Sequence, residues 1–326
     1  MRRREFITLV GSAVAGWPLA ASSQASQPVV GYLAQGSPEG TADLIDAVRK
    51  GLAETGLVEG KDYASEFRWA RGDADLLPAL AVELVRHRVS VIVVLDTLAA
   101  ARVAKTATTE IPILFTVGAD PVEAGLVGSL NHPGGNITGI STMNTEIAPK
   151  WVGLTRELLP NAKRFSLLVN YTNGDTAKSL ISGAQDAVLA LGLQTEVVFA
   201  SNEHDIDAAF RNLGARAQVV LIQPDQLFRR NFARVAASAI REKLPAIAWE
   251  REFPRAGGLL SYGSSFIDAH HQVGVYAGRI LKGEKPGDLP VQRPTKFEFV
   301  VNMKTAKTIG LDIPATMLAT ADEVIE

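Results

Sequence analysis

The chain has no cysteine. That absence excludes a disulfide framework, a thiolate metal site, a cysteine nucleophile and a lipidated amino-terminal cysteine. Histidine is scarce as well. The five, His87, His132, His204, His270 and His271, never fall into H-x-x-x-H or H-E-x-x-H spacing, and the adjacent His270 and His271 point to different faces of a predicted helix. All five read as surface residues, and no metal site is expected. No run of about 20 apolar residues occurs, which argues against a membrane anchor. Short-period repeats are missing, so a solenoid is excluded. Neither sign of charge dominates: 33 Lys and Arg face 35 Asp and Glu, a net charge of −2, with no basic patch or tail of the kind that binds nucleic acid. Cofactor loops are also lacking. The first strand-helix turn, Gly36-Ser37-Pro38-Glu39-Gly40, is not G-x-G-x-x-G, and there is no Walker loop. Gly263-Ser264-Ser265-Phe266 departs from the G-x-S-x-G hydrolase elbow at its last position. The expectation is a binding protein with no cofactor and no catalytic residues.

The amino terminus carries an address. Arg2, Arg3 and Arg4 are followed by the uncharged apolar stretch Phe6 to Gly16, a break at Trp17-Pro18 and the small residues Ala21-Ser22-Ser23. This is the layout of a signal peptide cleaved near Ser23. Arg3-Arg4-Glu5-Phe6-Ile7 also fits a twin-arginine signal in part, so Sec and twin-arginine export both stay open. The mature chain is expected to be soluble and periplasmic, about 300 residues long, enough for two ordinary cores.

From Pro28 onward, short apolar runs rich in β-branched residues alternate with longer segments of helical period, the grammar of a parallel sheet with crossover helices. Strands are predicted at Val29 to Ala34, Tyr63 to Trp69, Val89 to Leu95 and Ile113 to Val117. The helices between them span about Thr41 to Thr55, Asp73 to His87 and Thr97 to Thr108. The run Val91 to Leu95 has no polar face and reads as a central strand covered on both sides. After a helix from about Glu146 to Leu159 the alternation restarts at Phe165 to Asn170 and continues to Glu250, its last helix running from Phe228 to Lys243. It then departs with a strand Gly257 to Tyr262, a helix Asp268 to Lys282 and a last strand Phe297 to Asn302. The fold class is therefore α/β: two Rossmann-like lobes with parallel sheets and a central cleft between their carboxyl edges, where open sheets of this kind place ligands.

The loops after the strands supply the candidate ligand-binding residues: Ser37, Asp96, Thr97, Thr116, Asp120, Ser141, Asn170, Asn173, Gln223, Asp225, Trp249 and Tyr262. Thr97 opens a helix, so its hydroxyl and the free amides behind it suit a ligand carboxylate; ordinary N-capping is the alternative. Asp120 and Asp225 suit a ligand ammonium, and each is equally at home in a turn. Trp249 and Tyr262 end strands, where a ring either stacks on a flat ligand group or packs in the core. Gly134-Gly135-Asn136 reads as a turn towards the hinge, with Ser141 near the crossing.

Several motifs in order resemble the periplasmic substrate-binding proteins of ATP-binding-cassette importers, in the group with a type I binding-protein fold. They are the leader, Asp120-Pro121-Val122 with Gly125-Leu126-Val127, Pro133-Gly134-Gly135-Asn136-Ile137-Thr138-Gly139, Tyr262-Gly263, Gly278-Arg279-Ile280-Leu281-Lys282-Gly283 and Pro294-Thr295-Lys296-Phe297-Glu298. At Asn170-Tyr171-Thr172-Asn173 the chain departs from the Asn-Pro-rich loop more common in relatives. The resemblance implies an amino-acid-like solute, aromatic in some relatives, held between lobes that close on it. It also implies a membrane permease and an ATPase as partners, and a monomeric receptor. The expected lobes are residues 28–142 with about 265–283, and about 146–262 with 297–326, crossing near 141–146, 263–267 and 284–296. An exported α/β enzyme and a ligand-sensing partner of a membrane receptor are the alternative readings.

Overall fold

The structure, a computed structural model, describes residues 27–142, 147–171, 174–214, 216–294 and 296–326. The leader with its cleavage point, Asn173 and part of the first expected crossing lie outside the described residues.

The β-branched runs form strands because their side chains pack on both faces of a pleated sheet. In the first half these are β1 (Val29–Ala34), β2 (Ala64–Trp69), β3 (Val91–Val94), β4 (Ile113–Val117) and β5 (Ile137–Ser141). They make a parallel five-stranded sheet in the order β2-β1-β3-β4-β5. Every residue of β3 and β4 is buried. The crossover helices are α1 (Pro38–Glu54), α2 (Leu77–Arg86) and α3 (Leu98–Ala107), with a short 3-10 turn at Ala74–Leu76 leading into α2. The second half contains α4 (Ala148–Leu158), β6 (Arg164–Val169), α5 (Gly174–Leu189), β7 (Gln194–Phe199), α6 (Glu203–Leu213), β8 (Val219–Ile222), α7 (Gln226–Arg230), α8 (Phe232–Arg241) and β9 (Ala246–Ala248). There follow α9 (Glu252–Arg255), β10 (Leu260–Ser264), α10 (Phe266–Leu281), β11 (Phe297–Asn302), α11 (Met303–Ile309), α12 (Ala315–Thr320) and β12 (Glu323–Ile325). Their sheet has the order β12-β11-β10-β9-β8-β6-β7, parallel except where β11 runs against β10.

The chain passes from one sheet to the other after Ser141, after Ser264 and before Phe297. The second passage sends α10 back onto the first sheet, where it packs on α1, β3, β4 and β5. Two glycines let the helices touch: a Cβ on Gly51 would lie 2.0 Å from the His271 carbonyl oxygen, and one on Gly274 would lie 2.1 Å from that of Val48. Residues 289–292 then run beside β5. Val291 N donates to Leu130 O at 2.7 Å, Ser141 N to Gln292 O at 2.9 Å and Thr138 Oγ1 to Leu289 O at 2.7 Å. This strap covers an edge that would otherwise be open to pairing.

Four expectations need correction. The turn after Gly134-Gly135-Asn136 leads into a strand, β5, and not straight to the hinge. The single helix expected from Phe228 to Lys243 is broken at Asn231, whose φ and ψ of −112° and 21° are not helical. The tail adds α11, α12 and β12. His270 is a core residue, fully buried, with Nδ1 2.8 Å from Phe266 O and Nε2 2.7 Å from Leu95 O. Burial keeps its pKa below the ordinary histidine value, against the hydrogen bonding to the two carbonyls.

Candidate functional site

The carboxyl ends of the two sheets face one another, and two cavities lie between them. The inner one, about 50 Å³, is lined by Asp96, Thr97 and Gly118 from the first half and by Asp225, Arg229 and Trp249 from the second, with Phe266 at the passage between sheets. The outer one, about 450 Å³, includes Gln35, Asp73, Asn170, Ser201 and Arg230 in its wall. Thr97, Asp225 and Gln226 line both, so the two are neighbouring compartments of one cleft. The larger compartment falls within the roughly 300–1,000 Å³ usual for small-molecule sites.

Each lining side chain is placed by a local rule. Thr97, in an extended conformation, N-caps α3, its Oγ1 accepting from Ala100 N at 3.2 Å, and the start of α3 lines the cleft through Leu98 and Ala99. Asp96 is half-buried, and its carboxylate accepts from Gln35 N at 3.0 Å and Gly36 N at 2.7 Å, tying the β1–α1 turn to β3. Burial holds its carboxyl above the ordinary aspartate range, against those two amides. Asp225 caps α7 by accepting from Leu227 N at 2.8 Å, and the same oxygen accepts from Asn170 Nδ2 at 3.0 Å. Gln223 supports this pair from below, its Oε1 accepting from Asn170 N at 2.7 Å. Trp249 is 3% exposed and packs against Phe232 with ring centroids 5.2 Å apart. Its indole nitrogen is buried without a protein partner, and so are Gln223 Nε2 and Thr116 Oγ1. A buried donor left unpaired costs about 1–3 kcal/mol, which a ligand acceptor would recover.

Of the residues expected from the sequence, Asp96, Thr97, Asn170, Asp225 and Trp249 line the cleft. The other described ones line neither cavity. Ser37 is the N-cap of α1, accepting from Gly40 N at 3.3 Å. Asp120 closes its own turn, accepting from Val122 N at 2.7 Å and Glu123 N at 3.2 Å, so its carboxylate serves the backbone and not the cleft. Ser141 donates to Ala119 O at 3.1 Å. Thr116 and Gln223 are buried behind the lining. Tyr262 stacks on Phe297 at 5.7 Å, with Lys150 over its ring, and so takes part in the packing beside β11.

Two prominent cleft residues escape sequence reasoning, Arg229 and Arg230. Arg229 donates from Nε to both oxygens of Glu250, at 3.1 and 2.9 Å. Glu250 is 4% exposed, and desolvation raises its pKa to about 7 despite the guanidinium beside it. Arg230 extends beside Gly72, whose φ of +95° and lack of a Cβ make room for it: a Cβ there would stand 3.1 Å from a guanidinium nitrogen. Only the run of two basic residues in α7 marked them.

Two parallel-sheet lobes joined by three crossings, with cavities between their carboxyl edges, define the type I periplasmic-binding-protein architecture. The model of the ABC transporter substrate binding protein family matches residues 37–325, and the chain belongs to that family. It is 28% identical over 271 residues to the tyrosine-binding protein of Clostridioides difficile, covering 82% of this chain and 77% of that one. Among solved structures it is similar to a conserved domain protein of Vibrio cholerae, with TM-score 0.84 and 26% identity over 91% of this chain and 99% of that one. It is also similar to a Streptococcus pneumoniae ABC domain in complex with L-Trp, with TM-score 0.83 and 25% identity over 92% of this chain and 100% of that one. The family consists of solute-binding proteins, typically extracytoplasmic. Among the described residues no helix is long and apolar enough to cross a membrane.

Proposed function

We propose that the chain is an extracytoplasmic receptor that closes its two lobes on a small amino-acid-like solute, aromatic ones included, and delivers it to the permease and ATPase of an importer. The lobes are residues 28–142 with about 265–283, and about 146–262 with 297–326; the leader directs export, and the receptor acts as a monomer. The observation that carries the reading is the pairing across one cleft of a capped helix amino terminus at Thr97 with the carboxylate of Asp225. The first suits a ligand carboxylate and the second a ligand ammonium. An amino acid presents both charges on one carbon, and Thr97 and Asp225 line the same two cavities. Its side chain belongs in the outer cavity, because about 50 Å³ holds little more than one water-sized group. The relatives named for tyrosine and crystallised with L-Trp support the solute class.

Calorimetry of the mature chain with L-tyrosine, L-tryptophan and L-phenylalanine tests this. Micromolar affinity, about −8 kcal/mol, is expected for at least one. Asp225→Ala is expected to weaken it more than about tenfold, since the ammonium loses its partner. No heat from any of the three would remove the solute class.

A further inference from the structure

Arg229 belongs to the second lobe but spends half of its fork on the first. Beyond the two bonds to Glu250, Nη1 donates to Gly40 O at 2.7 Å and Nη2 to Asp43 Oδ2 at 2.9 Å, both on the first turns of α1. Its side chain is one-tenth exposed, that of Glu250 3%, and that of Asp43 43%. Glu250 follows β9 by two residues and lies in the same lobe as Arg229, so one side of the guanidinium is anchored and the other reaches across. Gly40 and Asp43 line neither cavity.

We propose that Arg229 is the positioning residue that sets the closed geometry of the cleft: anchored by Glu250, it docks on Gly40 and Asp43 and so holds Asp225 and Gln226 of α7 against Thr97. The chemistry requires arginine. Only a planar fork can face a carboxylate on one edge while donating to a carbonyl and a second carboxylate on the other, whereas a lysine ammonium is a single point charge. The buried carboxylate prevents a lone buried cation when the lobes part, so opening exchanges only the two bonds to α1 for water. The consequence for ligand capture rests on the proposed receptor function; the docking itself does not.

The cysteine-free chain allows a direct test. Cysteines introduced at Thr106 and His204, one exposed position on each lobe, carry spin labels for pulsed dipolar distance measurement without ligand. Asp43→Ala, which removes one half-exposed acceptor and leaves the Glu250 anchor intact, is expected to lower the ratio of short to long distances about two- to fivefold. Arg229→Lys should lower it at least as much. With L-tyrosine or L-tryptophan, both variants should release ligand faster at an unchanged association rate. Distance distributions identical to wild type in both variants would overturn the proposal, whatever the amino acids do. A response of the distances with no amino acid bound by any form leaves the latch standing and removes the solute class instead.

Discussion

At the scale of single residues, the cleft is dominated by charges taken out of water. Glu250 has its pKa raised to about 7, with desolvation the largest cause and Arg229 opposing it; Glu252 and Asp43 add repulsion. A carboxyl whose folded pKa lies above its unfolded value near 4.5 binds more protons in the native state between the two. Its contribution to stability is therefore complete below pH 4.5 and is lost as pH rises through about 7. His270, with its pKa lowered, acts in the opposite sense near pH 6.5, so the test must be differential. The melting temperature of wild type minus that of Glu250→Gln, followed from pH 5 to 8, is expected to fall with rising pH; a flat difference would show that Glu250 is ionised throughout. Trp249 offers a second residue-scale prediction. Trp249→Phe keeps a ring against Phe232 and removes a buried donor without a protein partner, so stability should change by less than about 1 kcal/mol while amino-acid binding weakens roughly fivefold. Unfolding midpoints and calorimetry separate the two effects.

At the scale of elements, the contact between α1 and α10 brings backbone against backbone. Val48 and Leu52 on α1 and Val273, Tyr276 and Ala277 on α10 are buried in one cluster with β1 and β3. That packing exists only because Gly51 and Gly274 allow backbone to meet backbone. Gly274→Ala would place a methyl 2.1 Å from Val48 O, where no rotamer can relieve it. A loss of about 1–3 kcal/mol or more is expected from urea denaturation, and a neutral result would mean the helices can slide apart. Much of this level is legible in the sequence. β1, β4 and β11 have the predicted limits, because β-branched runs bounded by turn residues leave little choice, and Thr97 is marked as a helix opener by its place after an apolar strand. Other parts are hidden for physical reasons. β5 reads Ile137-Thr138-Gly139-Ile140-Ser141, and its glycine is needed because a Cβ would lie 2.1 Å from Phe115 O; glycine and hydroxyls are the composition of a turn. The helices and strand after Met303 span only seven, six and three residues, too few to show a period. Arg229 carries no local signal beyond the pair of basic residues in α7, because its cross-lobe partner Asp43 is 186 positions away.

At the scale of the whole molecule, neither lobe is a continuous piece of chain. The first sheet is covered on one face by α10, which the chain supplies only after β10 of the second sheet, and the second sheet is completed by β11 and β12 after the last crossing. The buried cores nevertheless stay separate: one cluster fills the second lobe and two lie on the faces of the first sheet. Among the described residues the lobes are joined by three crossings and by contacts of Arg229 and Arg230, and, in the proposed receptor, by the captured solute. Two lobes whose buried residues form separate clusters should melt in two calorimetric steps when the protein is ligand-free. A solute held by Thr97 on one lobe and Asp225 on the other binds only while both are folded, so its whole binding energy opposes the first step and none of it the second. With L-tyrosine or L-tryptophan at about 100 times Kd, the first step gains about 2.7 kcal/mol. Scanning calorimetry should show the lower transition climbing towards a stationary upper one until the two merge. An upper transition that rises while the lower stays in place would mean that a single lobe holds the ligand, and the cleft would lose its role.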